Sequence, residues 1–167
     1  YGRGGKMVQY RRATFDDVEP IHKLCNYYAT LGLMLPRSRN SIYENLCDYI
    51  VAIDDNKVIA CGALHFVWDR LAEIRSLAVA PEHKRAGLGK KIVELLEQGG
   101  IQKGVRMFFT LTYQPGFFAK CDYVETTKDQ LPQKVWKECV YCPQYPYCNE
   151  LAFVKTTHDY VPHTSMI

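Results

Sequence analysis

The segment Ala72–Ile92, AEIRSLAVAPEHKRAGLGKKI, constrains the fold most. It reads as a buried strand that stops at Pro81, a short turn, and a glycine-containing loop that opens a helix. A loop of this kind presents backbone N–H groups to an anion, and the helix dipole adds positive potential at the same place. Gly87 and Gly89 allow close approach of backbone to a pyrophosphate, because no Cβ intervenes. Lys84, Arg85 and Lys90 supply charge around them. No Gly-Lys-Ser/Thr follows, which excludes a Walker loop. An ordinary helix N-terminus remains the alternative reading of the loop taken alone.

The rest of the chain supplies the context. Val8–Ala13 alternates and predicts a first strand. Thr14 caps a helix with Asp16 and Asp17 in its first turn, and Val18, Ile21, Leu24, Cys25 and Tyr28 recur at helical spacing up to Gly32. Leu33–Arg39 is a loop. Asn40 or Ser41 starts a second helix through Leu46. Ile50–Asp54 and Val58–Trp68 are strands joined at Asp55-Asn56, a hairpin signal. After the strand Ala72–Ala80 come an amphipathic helix Gly87–Gln102, a strand Met107–Thr112, a short helix Pro115–Lys120, a helix Leu131–Cys139 and a final strand Asn149–Lys155. Consecutive early strands imply antiparallel pairing. The strand–helix–strand unit from Ala72 to Thr112 implies a parallel crossover. The expected class is α/β (α+β), a mixed, mostly antiparallel sheet with helices on both faces.

The chain has 167 residues, suited to one domain, with 47% hydrophobic and 23% charged residues, which excludes a disordered chain. A net charge of +3 without a basic run argues against a nucleic-acid partner. No apolar run spans a bilayer, and the N-terminus lacks the apolar core of a secretory signal, so the expectation is cytoplasmic with no membrane partner. Residues 1–6, YGRGGK, read as a tag or disordered leader and are set aside from the fold. Cys25, Cys47 and Cys61 sit in apolar patterns and are expected to be buried as small hydrophobes.

The strand AEIRSLAV, followed by Pro81 and then by a cation-x-x-Gly-x-Gly loop, resembles motif A of the GNAT superfamily of acetyl-coenzyme A-dependent N-acetyltransferases. Element order and length are similar over Met7–Lys155, so residues 7–167 are expected to form a single GNAT domain. Lys84 stands where Gln or Arg is usual, and still offers donors. The resemblance implies that Lys84, Arg85, Ala86, Gly87, Leu88, Gly89 and Lys90 bind the pyrophosphate of acetyl-CoA. It implies that the strand splays from Met107–Thr112 near Leu77. It also implies that the Leu77 N–H faces the thioester carbonyl, while Ala78 and Val79 hold the pantetheine arm.

Transfer to an amine needs a base and an N–H donor for the oxyanion. Glu73 precedes Leu77 by four residues, and period-two geometry puts Glu73, Arg75 and Leu77 on one face up to any bulge. Glu73 is the favoured general base, in a position that resembles acetyltransferases with a glutamate base. The alternative is a carboxylate paired with Arg75 or another cation. Many GNAT members carry a Phe-Tyr pair in the short helix after the fifth strand. Here the pair is Phe117-Phe118, which has no proton to give and is expected to wall the coenzyme arm. Tyr113 is the nearest substitute acid, with aromatic packing as its other reading, and a thiolate can also take its proton from solvent.

Leu35-Pro36-Arg37-Ser38-Arg39, together with EIRSLAV, LTYQPGFF and LPQKVWKECVYCPQYPYC, resembles the short, kinase-domain-free amino-acid N-acetyltransferases of the N-acetylglutamate synthase type. That resemblance implies acetylation of the α-amino group of L-glutamate, the first step of arginine biosynthesis. Two carboxylates suit guanidinium forks, so Arg37, Arg39 and Arg75 are the expected acceptor contacts, with Ser38, Ser76, Tyr113 and Gln114 adding hydrogen bonds. Another small amine, a protein N-terminus, or a non-catalytic acyl-CoA sensor are the alternatives. The partners expected are small molecules, and a homodimer stays open. Cys139-x-x-Cys142-x5-Cys148 with Cys121 has partial metal-knuckle spacing, but reduced packing thiols are the favoured reading over a structural metal or a Cys142–Cys148 disulfide, and no metal is assigned.

Overall fold

The computed structural model describes residues 7–84, 86–131 and 150–157. The strands are β1 (Gln9–Arg12), β2 (Tyr49–Asp54), β3 (Lys57–Trp68), β4 (Leu71–Val79), β5 (Met107–Thr112), β6 (Val124–Thr126) and β7 (Leu151–Thr156). The helices are α1 (Val18–Thr30), α2 (Arg39–Glu44), α3 (Leu88–Gln102) and α4 (Pro115–Lys120). The hydrogen-bonded strand order is β1-β2-β3-β4-β5-β7-β6, a mixed seven-stranded sheet. The β1–β2, β2–β3, β5–β7 and β6–β7 pairs are antiparallel, and β4–β5 is parallel as the crossover requires.

Local chemistry explains the early elements. Asp55 and Asn56 both adopt positive φ (50° and 61°), the backbone of a tight hairpin turn between β2 and β3. Before α1, the Asp17 carboxylate accepts the Thr14 N–H at 2.7 Å, the Thr14 hydroxyl at 3.2 Å and Arg11 Nη1 at 2.6 Å. Burial pushes the Asp17 carboxyl up, yet these hydrogen bonds win and hold it below the ordinary carboxylate value. The second helix starts one or two residues earlier than the sequence predicts. Ser38, not Asn40, is its cap, its Oγ accepting the Ser41 N–H at 3.1 Å.

The chain forms two compact units. The first comprises residues 7–65 and 74–99. Its core joins Val18, Ile21, Cys25 and Tyr28 of α1 and Ile42 of α2 to Tyr49, Val51, Cys61, Ala63 and Ala78 of the strands. Gly62, between Cys61 and Ala63, presents its other side to α3. A Cβ there would lie 2.7 Å from Ile92 Cγ2 and 3.1 Å from Leu77 Cδ1. Helices therefore cover both faces of β3. The second unit comprises residues 66–73, 100–131 and 150–157. Leu71, Phe109, Leu131 and Ala152 form its core, and the parallel β4–β5 pairs run from Leu71–Met107 to Glu73–Phe109, ahead of Leu77.

Two expectations need correction. Cys47 is exposed, because it falls in the one-turn 3₁₀ helix Leu46–Asp48, which breaks the apolar period. A seventh strand, β6, was not predicted: it is only three residues long and lies at the sheet edge, where alternation carries no signal. The predicted helix Leu131–Cys139 falls almost wholly outside the described residues.

Gly62→Ala is expected to destabilise the protein by about 1–3 kcal/mol through overpacking, measured by urea unfolding, whereas Gly99→Ala in open helical space should stabilise it by about 0.5–1 kcal/mol. Asp17→Asn is expected to lower stability by about 1–3 kcal/mol at pH 7. Because the folded Asp17 value lies below the unfolded one, its contribution is complete above about pH 4. It is lost as pH falls through the folded value, so the gap between the two proteins should close in acid.

Candidate active site

Ser76 departs from the strand that contains it. Its φ is +56° although neighbouring residues remain in β4, and it is buried. The left-handed region costs a non-glycine residue about 1–2 kcal/mol, so the surroundings must hold it there. Tyr49 donates its hydroxyl to Ser76 Oγ at 3.0 Å. Cys61 Sγ lies 3.3 Å and Cys25 Sγ 3.9 Å from the Ser76 carbonyl oxygen, and the two sulfurs are 3.9 Å apart. Burial pushes the Tyr49 phenol up to about 12, against the smaller opposing effects of the Ser76 bond and the Arg37 charge. Cys61 is pushed well above the ordinary thiol value by its contact with Cys25 and by burial, so it stays protonated at neutral pH.

Ser76 is a left-handed break in the backbone of β4, yet burial alternates through it: Glu73, Arg75 and Leu77 are half-buried, and Ile74, Ser76 and Ala78 are buried. The Leu77 side chain approaches Gly62 and the α3 side.

Beyond Ser76, Tyr28 donates its hydroxyl to the Val79 carbonyl, and the Lys84 ammonium lies 4.9 Å from the Tyr28 ring centroid. Pro81 opens a one-turn 3₁₀ helix ending at His83. Gly87 then takes φ +77° with open space where a Cβ would stand, and its carbonyl accepts the Lys91 N–H at 3.1 Å. The first N–H groups of α3 have no partner within the helix. Lys84, Ala86, Gly87 and Lys90 are exposed, while Leu88 and Gly89 are buried, so Leu88 offers its backbone rather than its side chain. Arg85 lies outside the described residues.

Asn26 anchors the loop between α1 and α2, donating Nδ2 to the carbonyls of His22 at 2.8 Å and Arg37 at 3.0 Å. Arg39 is engaged by Glu19 through a fork at 2.5 and 3.1 Å, both side chains being exposed. That contact holds the Glu19 carboxyl below its ordinary value. Arg37 is half-buried, and its charge reaches Tyr49.

In the second unit, Tyr113 is half-buried at the end of β5, and Gln114 is exposed at the cap of α4, its N–H bonded to Thr112 Oγ1 at 2.8 Å. Phe118 is 4% exposed and packs edge-on against Phe117 and Tyr123, so it is a core ring and only Phe117 reaches the surface. Cys121 is buried, with its carbonyl accepting Lys155 Nζ at 3.1 Å. Among the described residues no three His, Cys, Asp or Glu side chains group as metal ligands. Cys139, Cys142 and Cys148 lie outside those residues.

The sequence did not signal Tyr28, Tyr49, Asn26 or the joint action of Cys25 and Cys61. Tyr28 and Cys25 fit a core stripe, and nothing in a lone Ser marks a left-handed turn.

The GNAT family model, described as acetyltransferase, matches residues 15–123. The chain belongs to the GNAT family of acetyltransferases. It is similar to an uncharacterized N-acetyltransferase of Chlorobaculum tepidum, 41% identical over 146 residues that cover 87% of this chain and 94% of that one. It is also similar to an amino-acid acetyltransferase of Mycobacterium tuberculosis, 34% identical over 131 residues, covering 77% of this chain and 75% of the relative. A Mycobacterium tuberculosis crystal structure in complex with CoA superposes with a TM-score of 0.78 at 27% identity, covering 89% of this chain and 99% of that one. No helix among the described residues of this GNAT chain is long and apolar enough to cross a membrane.

Tyr49→Phe is expected to cost about 1–2 kcal/mol by leaving Ser76 Oγ without its buried donor, measured by thermal unfolding. A double-mutant cycle with Ser76→Ala should return a coupling energy of the same sign.

Proposed function

We propose that this chain transfers the acetyl group of acetyl-CoA to the α-amino group of an amino acid, with L-glutamate as the acceptor. The observation that carries the reading is the left-handed Ser76 within β4. A trans peptide directs its C=O and N–H oppositely. With the Ser76 carbonyl turned to the buried thiols, the Leu77 N–H points away from them and is offered to a developing oxyanion. The similarity to an amino-acid acetyltransferase supports the acceptor class.

Acetyl-CoA supplies an acyl thioester, and this chain's residues do the rest. The open Gly87, the first N–H groups of α3, Lys84 and Lys90 suit a pyrophosphate, and Arg85 and Ala86, adjacent in sequence, belong to the same proposed loop. Leu77, Ala78 and Val79 line the pantetheine arm, and Phe117 borders it. Glu73 takes the proton from the ammonium nucleophile, directly or through water. Tyr113 returns a proton to the leaving thiolate. Arg37 and Arg75 receive the acceptor carboxylates, and Ser76 and Gln114 are the proposed hydrogen-bonding groups. Arg39 reaches the acceptor only by leaving Glu19, which directs its side chain towards α1. The acceptor reading implies a cytoplasmic role at the start of arginine biosynthesis.

Release of free thiol from acetyl-CoA, assayed with a panel of amino acids, tests the reading. Glutamate-dependent turnover is expected, and turnover only with another amine would overturn the acceptor assignment. Glu73→Gln should lower kcat by about 10²-fold or more with CoA affinity retained by calorimetry, and an unchanged kcat would remove Glu73 as the base.

A further inference from the structure

Two buried thiols lie outside the chemistry just proposed. Cys25 on α1 and Cys61 on β3 are each 0% exposed and converge on one backbone oxygen, the Ser76 carbonyl. A carbonyl within a regular strand points along the sheet towards a neighbouring strand. This one is turned to a helix side chain because Ser76 is left-handed. The Leu77 side chain meets Gly62 and the α3 side, and the Ser76 hydroxyl is held by Tyr49. The peptide unit is thus gripped from several sides, with both thiols on its carbonyl.

We infer that Cys25 and Cys61 are positioning residues for acetyl transfer. By pinning the Ser76 carbonyl they fix the plane of the Ser76–Leu77 peptide, and through that plane they aim the Leu77 N–H. The inference rests on the reading of Leu77 as the oxyanion donor. Chemistry supports a role beyond packing. A buried carbonyl needs a donor, and a thiol is a weak one. Two thiols at 3.3 and 3.9 Å share the task, and at their mutual 3.9 Å contact either S–H can turn to the other sulfur while the remaining thiol donates to the carbonyl. The raised Cys61 value keeps that proton in place at working pH.

The test compares Cys61→Ser, which keeps an O–H donor, with Cys61→Ala, which keeps only the bulk of the β-carbon, alongside Cys25→Ala and the exposed control Cys47→Ala. With acetyl-CoA and L-glutamate, Cys61→Ala is expected to lose about tenfold or more in kcat, with little change in the KM for acetyl-CoA, and Cys61→Ser to recover most of that loss. The amide resonance of Leu77 in a ¹⁵N-labelled sample is expected to move in both alanine variants, to return towards its wild-type position in Cys61→Ser, and to stay in place in Cys47→Ala. A packing role alone predicts that Ala is tolerated at least as well as the more polar Ser, and that ranking would overturn the inference. So would a Leu77 resonance that stays in place in both alanine variants. Should the wild type release no thiol with any amine, the proposed function fails while the Leu77 resonance still decides the pinning. Should Cys61→Ser prove too unstable to isolate, the resonance in Cys25→Ala and Cys61→Ala decides alone.

Discussion

A planar trans peptide cannot turn its carbonyl without turning the N–H that follows. At Ser76–Leu77 this rule links the core of the first unit to its chemistry. Ser76 accepts a left-handed backbone worth about 1–2 kcal/mol of strain because Tyr49, Cys25 and Cys61 hold its hydroxyl and carbonyl from inside the core. The strand therefore carries a fixed irregularity at the residue before its proposed oxyanion donor. Rigidity matters here, since a donor aimed in advance needs no reorganisation as charge develops.

The elements that carry the proposed donor side were largely legible in the chain, and the irregularity at Ser76 was not. The Asp55-Asn56 turn, the ends of β5 and α4 and the glycine of the anion loop depend on residues within a few positions of each other, so sequence pattern reports them. Ser76 depends on residues distant in sequence, 27 positions away in the case of Tyr49 and 51 in that of Cys25. Glycine, asparagine or aspartate would have advertised a positive φ, whereas serine does not. The same reason separates the two predictions made for cysteines. Cys25 and Cys61 sit within long periodic elements and are buried as expected, while Cys47 falls on a single 3₁₀ turn where the period fails.

The acceptor side is less specified by type of residue than by commitment. Arg37 and Arg39 look equivalent in sequence, whereas Arg75 lies within a strand, where a half-buried charge needs a partner. In the structure Arg39 is occupied by Glu19 in a solvent-exposed pair, a contact worth little to stability but enough to direct a side chain. Arg37 is half-buried and its charge reaches Tyr49, whose hydroxyl rests on Ser76. That ordering favours Arg37 over Arg39 as the guanidinium proposed to meet an acceptor carboxylate.

Helix α1 joins these parts through two stripes of side chains. One stripe, Val18, Ile21, Cys25 and Tyr28, faces the strands, and its last two members reach the carbonyls of Ser76 and Val79. On the adjacent stripe Glu19 holds Arg39, and Asn26 holds the Arg37 carbonyl. Three residues advance roughly 4.5 Å along a helix but roughly 10 Å along a strand. A short thiol followed by a long tyrosine matches that difference in reach. Because one helix contacts both β4 and the loop between α1 and α2, a shift of α1 would disturb the proposed donor strand and the proposed acceptor arginine Arg37 together. Substitutions along α1 other than at Tyr28, whose ring meets Lys84, should for that reason change kcat and the acceptor KM jointly, while the proposed anion loop at Gly87, which leads into α3, retains its affinity for the coenzyme.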